Sequence, residues 1–277
     1  MKLKLWGVLL LLPVIISSGC SNNEATGEVK VGMIKYLNSS EENMNELIKK
    51  IEEKNSESFS NYSTVYYDNL NSMQMGLSSG HIDEMSTYRC VSNYVSNKGF
   101  DYFQVPVPFK LSDSFCCAFR DEDAALKDAF NKALNGMLKD GTLINLTSQY
   151  ITNLNADEEP QAIDMEHIDG AETIKVAVTG DLPPLDLIKA DGTPAGFNTA
   201  VLAEISKRIN KNFELVQMES GARAAALTSG LVDVLFWVRL PDNDSDMPAD
   251  VDRPDGIVFS MPYFSDKIVH LKWESNK

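Results

Sequence analysis

The chain has 277 residues, 43% hydrophobic and 23% charged, with 40 Asp and Glu against 25 Lys and Arg and a formal net charge of −15. This composition excludes collagen-like, mucin-like and wholly disordered chains, and the length allows two lobes of about 100–150 residues. The acidic balance argues against a nucleic-acid grip, which needs clustered cations, and three His (His81, His167 and His270) leave little for a His-rich metal or acid–base site.

Residues 1–19 read as an export signal, with Lys2 and Lys4 ahead of an apolar stretch from Leu5 to Ile16. That stretch is shorter than the roughly 18–20 residues that span a bilayer. Ser17-Ser18-Gly19-Cys20 resembles a bacterial lipobox, in which the Cys thiol is diacylated and becomes the new N-terminus. Ser17 stands where Leu is usual, and an ordinary secretory signal is the alternative. A polar tether, 20–28, follows. The resemblance implies a lipid anchor at Cys20 on the extracytoplasmic face of a bacterial cell membrane. Of the other cysteines, adjacent Cys116 and Cys117 point to opposite faces of a strand, and with Cys90 they read as small core residues.

Val29 to Ile34 reads as a strand, and Ser39 with Glu42 forms a capping-box pattern ahead of Met44, Leu47, Ile48 and Ile51 at helical spacing. Ser63 to Tyr67 is a second strand. Asp68 or Asn69 then caps a helix carrying Leu70, Met73 and Leu77, which Gly80 ends, and Ile82 to Thr87 is a third strand. Phe115 to Arg120 is another strand, after which Asp123 caps a long helix through Leu126, Phe130, Leu134 and Met137 that Gly141 breaks. Residues 155–171 are acidic and aperiodic, which marks a linker. The same grammar then returns. Thr173–Thr179 is a strand, a helix carries Val201, Leu202, Ile205 and Ile209, and Phe213–Met218 is a strand, followed by a short helix and the strand Leu231–Val238. Leu77-Ser78-Ser79-Gly80-His81-Ile82-Asp83 matches Leu227-Thr228-Ser229-Gly230-Leu231-Val232-Asp233, which predicts two similar α/β lobes with a cleft between them.

Gly180-Asp181-Leu182-Pro183-Pro184, Asp191-Gly192 with Gly196-Phe197-Asn198, Leu227–Asp233 and Phe259-Ser260-Met261-Pro262-Tyr263-Phe264 together resemble the first lobe of substrate-binding proteins of ABC importers, in the subfamily that carries polar amino acids. Val29–Ser40, Leu77–Asp83 and Leu126–Leu134 with Lys139-Asp140-Gly141-Thr142 resemble that family's second lobe and terminal helices. The resemblance implies an α/β, two-lobed type 2 periplasmic-binding-protein fold in circularly permuted order. Lobe 2 spans 29–112, and a crossover strand and terminal helices packing on lobe 1 span 113–154. The acidic linker 155–171 and lobe 1 (172–277) complete it. A fusion of two truncated relatives is the alternative. In the permuted order only the crossover into Phe115–Arg120 is expected to stay continuous, with the chain ends near each other at the lobe junction.

In such relatives an Arg of lobe 1 takes the ligand carboxylate, a task suited to a planar guanidinium. Arg253 stands at the family spacing and Arg239 is its competitor. Tyr88 stands where relatives place an Asp for the ligand's ammonium. Asn38, Ser39 and Ser40 occupy the turn at a helix N-terminus that offers N–H groups to an anion. Asp181 and Leu185 lie in the other contact turn, with Trp237 and Tyr36 as further candidates. The family implies a monomer that hands a small ligand to a membrane permease, with no cofactor, metal or catalytic residue. A membrane-sensor role, a dehydratase-like enzyme and a non-binding scaffold remain alternatives.

Overall fold

The computed structural model describes residues 27–54, 61–96, 98, 101–107, 109–155 and 158–274. The export signal, Cys20 and the tether up to residue 26 lie outside the described residues. The first series of elements is β1 (Val29–Ile34), α1 (Glu41–Lys54), β2 (Tyr62–Tyr67), α2 (Leu70–Ser78), β3 (Glu84–Tyr88), α3 (Arg89–Ser96) and β4 (Tyr102–Val105). Next come β5 (Ser112–Arg120), α4 (Ala124–Lys139) and α5 (Thr142–Thr147). The second series is β6 (Thr173–Val178), β7 (Asp181–Leu182), β8 (Asp186–Ile188), β9 (Pro194–Ala195), α6 (Phe197–Ile209) and β10 (Asn212–Gln217), then α7 (Arg223–Thr228), β11 (Val234–Pro241), β12 (Ile257–Phe259) and β13 (Phe264–Trp273).

Helix α1 forms because Met44, Ile48 and Ile51 recur on one face and bury together. Its cap is Ser40, whose Oγ accepts the Asn43 N–H at 3.1 Å, so the expected box at Ser39 is displaced by one residue. Asn69 caps α2 by accepting the Ser72 N–H at 2.8 Å. Asp123 makes no such cap on α4; its carboxylate pairs with Arg120 at 2.7 Å. Phe130, Ala133, Leu134 and Met137 bury α4, and Asp140 near its end accepts from Arg208 of α6 at 2.8 Å. Cys90, Cys116 and Cys117 are free and buried.

A ten-stranded mixed sheet runs β10-β6-β11-β5-β13-β3-β1-β2, with β12 on β5 and β4 on β13. Strands β2, β1 and β3 are parallel, as are β10, β6 and β11. Each trio is flanked by an antiparallel strand, β13 against β3 and β5 against β11. An N-terminal lobe (β1–β4) and a C-terminal lobe (β6 and β10–β12) therefore exchange one strand each. The exchanged strands pair with each other between Ser112–Phe115 and Phe264–Lys267.

This corrects the expectation of a single continuous crossover. Beyond Lys267, β13 carries on into the N-terminal lobe, where it pairs with β3 and β4. A 10-residue strand is long enough to serve both lobes, reaching about 33 Å. Gly32 pairs with Met85, and Met85 with Leu271. The start of β1 and the end of β13 thus share one end of the sheet, about 10 Å apart across β3. They meet at the outer end of the N-terminal lobe, away from the lobe junction.

The repeated letters build the same junction twice. Gly80 and Gly230 take left-handed φ values of 73° and 74°, which favour Gly. Asp83 N–H donates to Lys30 O at 2.8 Å and its carboxylate accepts the Lys30 N–H at 2.8 Å. Asp233 makes the equivalent pair with Lys175, at 2.8 and 2.9 Å.

Candidate functional site

The lobes meet where the parallel strands end, at their carboxyl termini, the usual place for ligands in open α/β sheets. An aromatic spine joins them. The Phe115 ring lies 4.7 Å from Tyr88, 5.3 Å from Trp237 and 5.4 Å from Phe264. Tyr88 donates its hydroxyl to Asp113 at 2.9 Å. Asp113 is 2% exposed and shares the inward parity of Phe115 and Cys117 on β5.

Arg239 reaches across the seam from β11. Its guanidinium lies 3.6 Å above the Tyr36 ring centroid and donates to the Ile34 carbonyl. Burial works against its charge, but Tyr36, Tyr88, Asp113 and Asp252 outweigh that and raise its pKa. Arg223 is 3% exposed; it donates to the Trp237 carbonyl and lies 5.3 Å from the Trp237 ring centroid. Burial first, and Arg239 second, lower its pKa to about 10. Its Nε and the Trp237 Nε1 are buried and find no protein partner.

Two carboxylates of the C-terminal lobe accept from backbone N–H groups of the N-terminal lobe. Asp252 accepts the Leu37 N–H at 2.8 Å on one oxygen, and the Asn38 and Ser39 N–H groups at 2.6 and 3.2 Å on the other. Asp181 accepts the Leu70 N–H at 2.7 Å. Burial pushes the Asp181 pKa up to about 6 against the pull of that bond. Neighbouring Asp186 is buried and accepts from the N–H groups of Thr179 and Gly180 and from the Thr179 hydroxyl. Cavities of about 390 and 370 Å³ flank the Asp181 contact, one lined by Asp68, Gln217 and Glu219, the other by Gln74, Tyr94 and Ile188.

Of the residues expected from sequence, Tyr36, Tyr88, Trp237, Arg239, Asp181 and the backbone of Asn38 and Ser39 come together at this seam. Arg253 does not: it is exposed, donates to the Ala249 carbonyl at 3.0 Å and lies 5.6 Å from the Phe259 ring centroid. An acidic run from Asp242 to Asp252 comes just before it; Arg253 turns outward while its neighbour Asp252 turns in. Leu185 is fully buried in the C-terminal core, and Ser40 is spent on capping α1. Asp113, Asp252, Arg223 and Asp186 were not anticipated. His270 of β13 pairs with Glu84 of β3 at 2.8 Å. Among the described residues no group of three or more His, Cys, Asp or Glu is arranged to hold a metal ion, and no helix is long and apolar enough to cross a membrane.

A ligand-binding component of an ABC-type import system from Staphylococcus aureus, solved with zinc bound, is similar at 12% identity and a TM-score of 0.43, over 89% of this chain and 66% of that one. A nutrient-binding protein from Burkholderia cenocepacia bound to methionine has 12% identity and a TM-score of 0.41, over 88% and 84%. CbnR, a LysR family transcriptional regulator, has 11% identity and a TM-score of 0.41, over 91% and 65%. At these scores the likenesses assign neither ligand nor role. No curated protein matches the chain. The family model for bacterial extracellular solute-binding proteins, family 3, matches residues 174–276, the segment from β6 through β13.

Proposed function

We propose that the protein is an extracytoplasmic solute-binding protein, lipid-anchored through Cys20, that closes two lobes on a small polar ligand, an amino acid or related carboxylate, and delivers it to an ABC importer. The observation that carries this reading is the seam. Two lobes of matching topology, joined by exchanged strands, meet at a seam that gathers opposite charges, with Arg239, Arg223, Asp113 and Asp252 buried and Asp181 half-buried, and with Asp252 and Asp181 accepting backbone N–H groups from across it. Hinge closure about such strands binds a ligand without covalent chemistry. The family match over 174–276 supports the same reading. Tyr88 brings no charge of its own, but its hydroxyl bond holds Asp113 at the seam, where a carboxylate suits a ligand's ammonium.

The reading includes a circular permutation, with lobe 2 over 29–112, the crossover strand and helices over 113–154, the linker over 155–171 and lobe 1 over 172–277. Permutation is tolerated where ends lie close together, and the approach of β1's start to β13's end supports it. A rewired chain that starts at 172 and joins Trp273 to Val29 by a short linker is expected to fold to the same circular-dichroism spectrum. Failure to fold would count against the permutation.

A thermal-shift screen of the purified protein against amino acids, small peptides and organic acids tests the function. A ligand that binds only the folded state stabilises it by about 2.7 kcal/mol at a hundredfold excess over Kd. The expected result is a rise in Tm with one chemical class, reduced in Asp113→Asn. No rise with any member of the panel would overturn the reading.

A further inference from the structure

The loop between β11 and β12 does more than connect them. From 242 to 252 it leaves the C-terminal lobe and lies along the N-terminal one. Asp246 N–H donates to the Lys110 carbonyl at 2.8 Å, and the Asp246 carboxylate accepts the Lys110 N–H at 2.7 Å. Met247 packs among Val31, Met33, Tyr36, Met44 and Ile48, the apolar cluster under α1. Five residues on, Asp252 is 1% exposed and sits on the three N–H groups of Leu37, Asn38 and Ser39. Three consecutive N–H donors in the turn that leads into Ser40, the cap of α1, form a seat for an anion. Arg239 and Arg223 add their positive charge to the field at that carboxylate.

We propose that Asp252 is a tethered internal ligand, held by the 242–252 strap in the acid seat of the cleft, and that it sets which charge class of solute the protein accepts. The inference rests on the solute-binding reading and deepens it. With its own carboxylate seated at 37–39, the cleft repels a second carboxylate at that point, because two anions sharing a buried site disfavour each other. A solute carrying an acid group enters that seat only by displacing the strap. A solute whose acid group lies elsewhere, or that has none, binds beside it and leaves Asp252 in place.

Backbone hydrogen exchange of the purified protein, read at Leu37, Asn38 and Ser39, tests this with acetate as the probe. Asp252→Ala empties the seat. Amides 37–39 are then expected to exchange about tenfold faster or more, the loss of a charged hydrogen bond, while amides of β6 and β11 keep their protection and report an intact fold. Saturating acetate is expected to restore protection in Asp252→Ala and to leave the unsubstituted protein unchanged. Met247→Ser is the second variant; it loosens the strap, speeds exchange at the same amides and admits acetate with the carboxylate still present. Unchanged exchange at 37–39 in both variants would overturn the tether. Faster exchange that acetate does not slow would overturn the acid seat. Neither outcome depends on finding the natural solute, so a negative thermal-shift screen and a negative exchange result separate the two ideas.

Discussion

The two lobes agree at their outer junctions and differ where they face each other. Leu77–Asp83 and Leu227–Asp233 build the same helix end, left-handed Gly and Asp–Lys backbone pair, with matching hydrogen-bond lengths. Across the seam the symmetry breaks. The N-terminal lobe presents backbone N–H groups, those of the Leu37–Ser39 turn and of Leu70 at the start of α2, whereas the C-terminal lobe presents carboxylates, Asp252 and Asp181. N–H donors favour an acid, so the two faces are complementary rather than alike. The repeat makes the scaffold, and the loops at the strand ends make the difference.

The largest effect is expected on the broken symmetry. Arg239→Ala removes the buried guanidinium that stacks on Tyr36, bonds the Ile34 carbonyl and offsets the charges of Asp113 and Asp252, and should cost about 3 kcal/mol in urea denaturation. A cost near zero would show that the seam charges do not depend on one another. The next effect is a pH slope. Asp181 titrates at about 6 in the folded protein and at about 3.9 in the unfolded chain. The folded state therefore holds the extra proton, and this contribution to stability is full below about pH 4 and lost as pH rises through about 6. Asp181→Asn should flatten that fall; an unchanged slope would assign it to Asp113 and Asp186, which burial also raises.

The preserved symmetry predicts smaller and equal effects. Gly80→Ala and Gly230→Ala meet no steric clash, only an unfavourable left-handed φ, so each should cost about 1–2 kcal/mol. Values that differ by more than the error of denaturation would break the equivalence. Smallest of all, Arg253→Ala should stay within about 0.5 kcal/mol, as expected of an exposed side chain.

Local grammar was legible in the sequence, and non-local contact was not. The repeat, the two strand–helix series and the core positions of α1 and α4 follow from short-range spacing. Asp113 was in principle readable, since it falls at the inward parity of Phe115 and Cys117. Asp252 was not, because it ends a run of acids that looks like a solvated insert. The family spacing pointed to Arg253, but that side chain turns outward and leaves the seam to Arg239. The exchange of β13 between lobes is a pairing between residues about 180 positions apart in sequence, beyond the reach of any local pattern.

That exchange also fixes the order in which the fold becomes possible. As the chain is made from residue 1 onward, β3 waits with an unpaired edge until residues 264–273 arrive, because β13 is its partner on that side. The keystone of the sheet is thus made after every other strand described. Until then no strand pairing joins the two halves, because β5 pairs only with β11, β12 and β13, and the chain itself is their link.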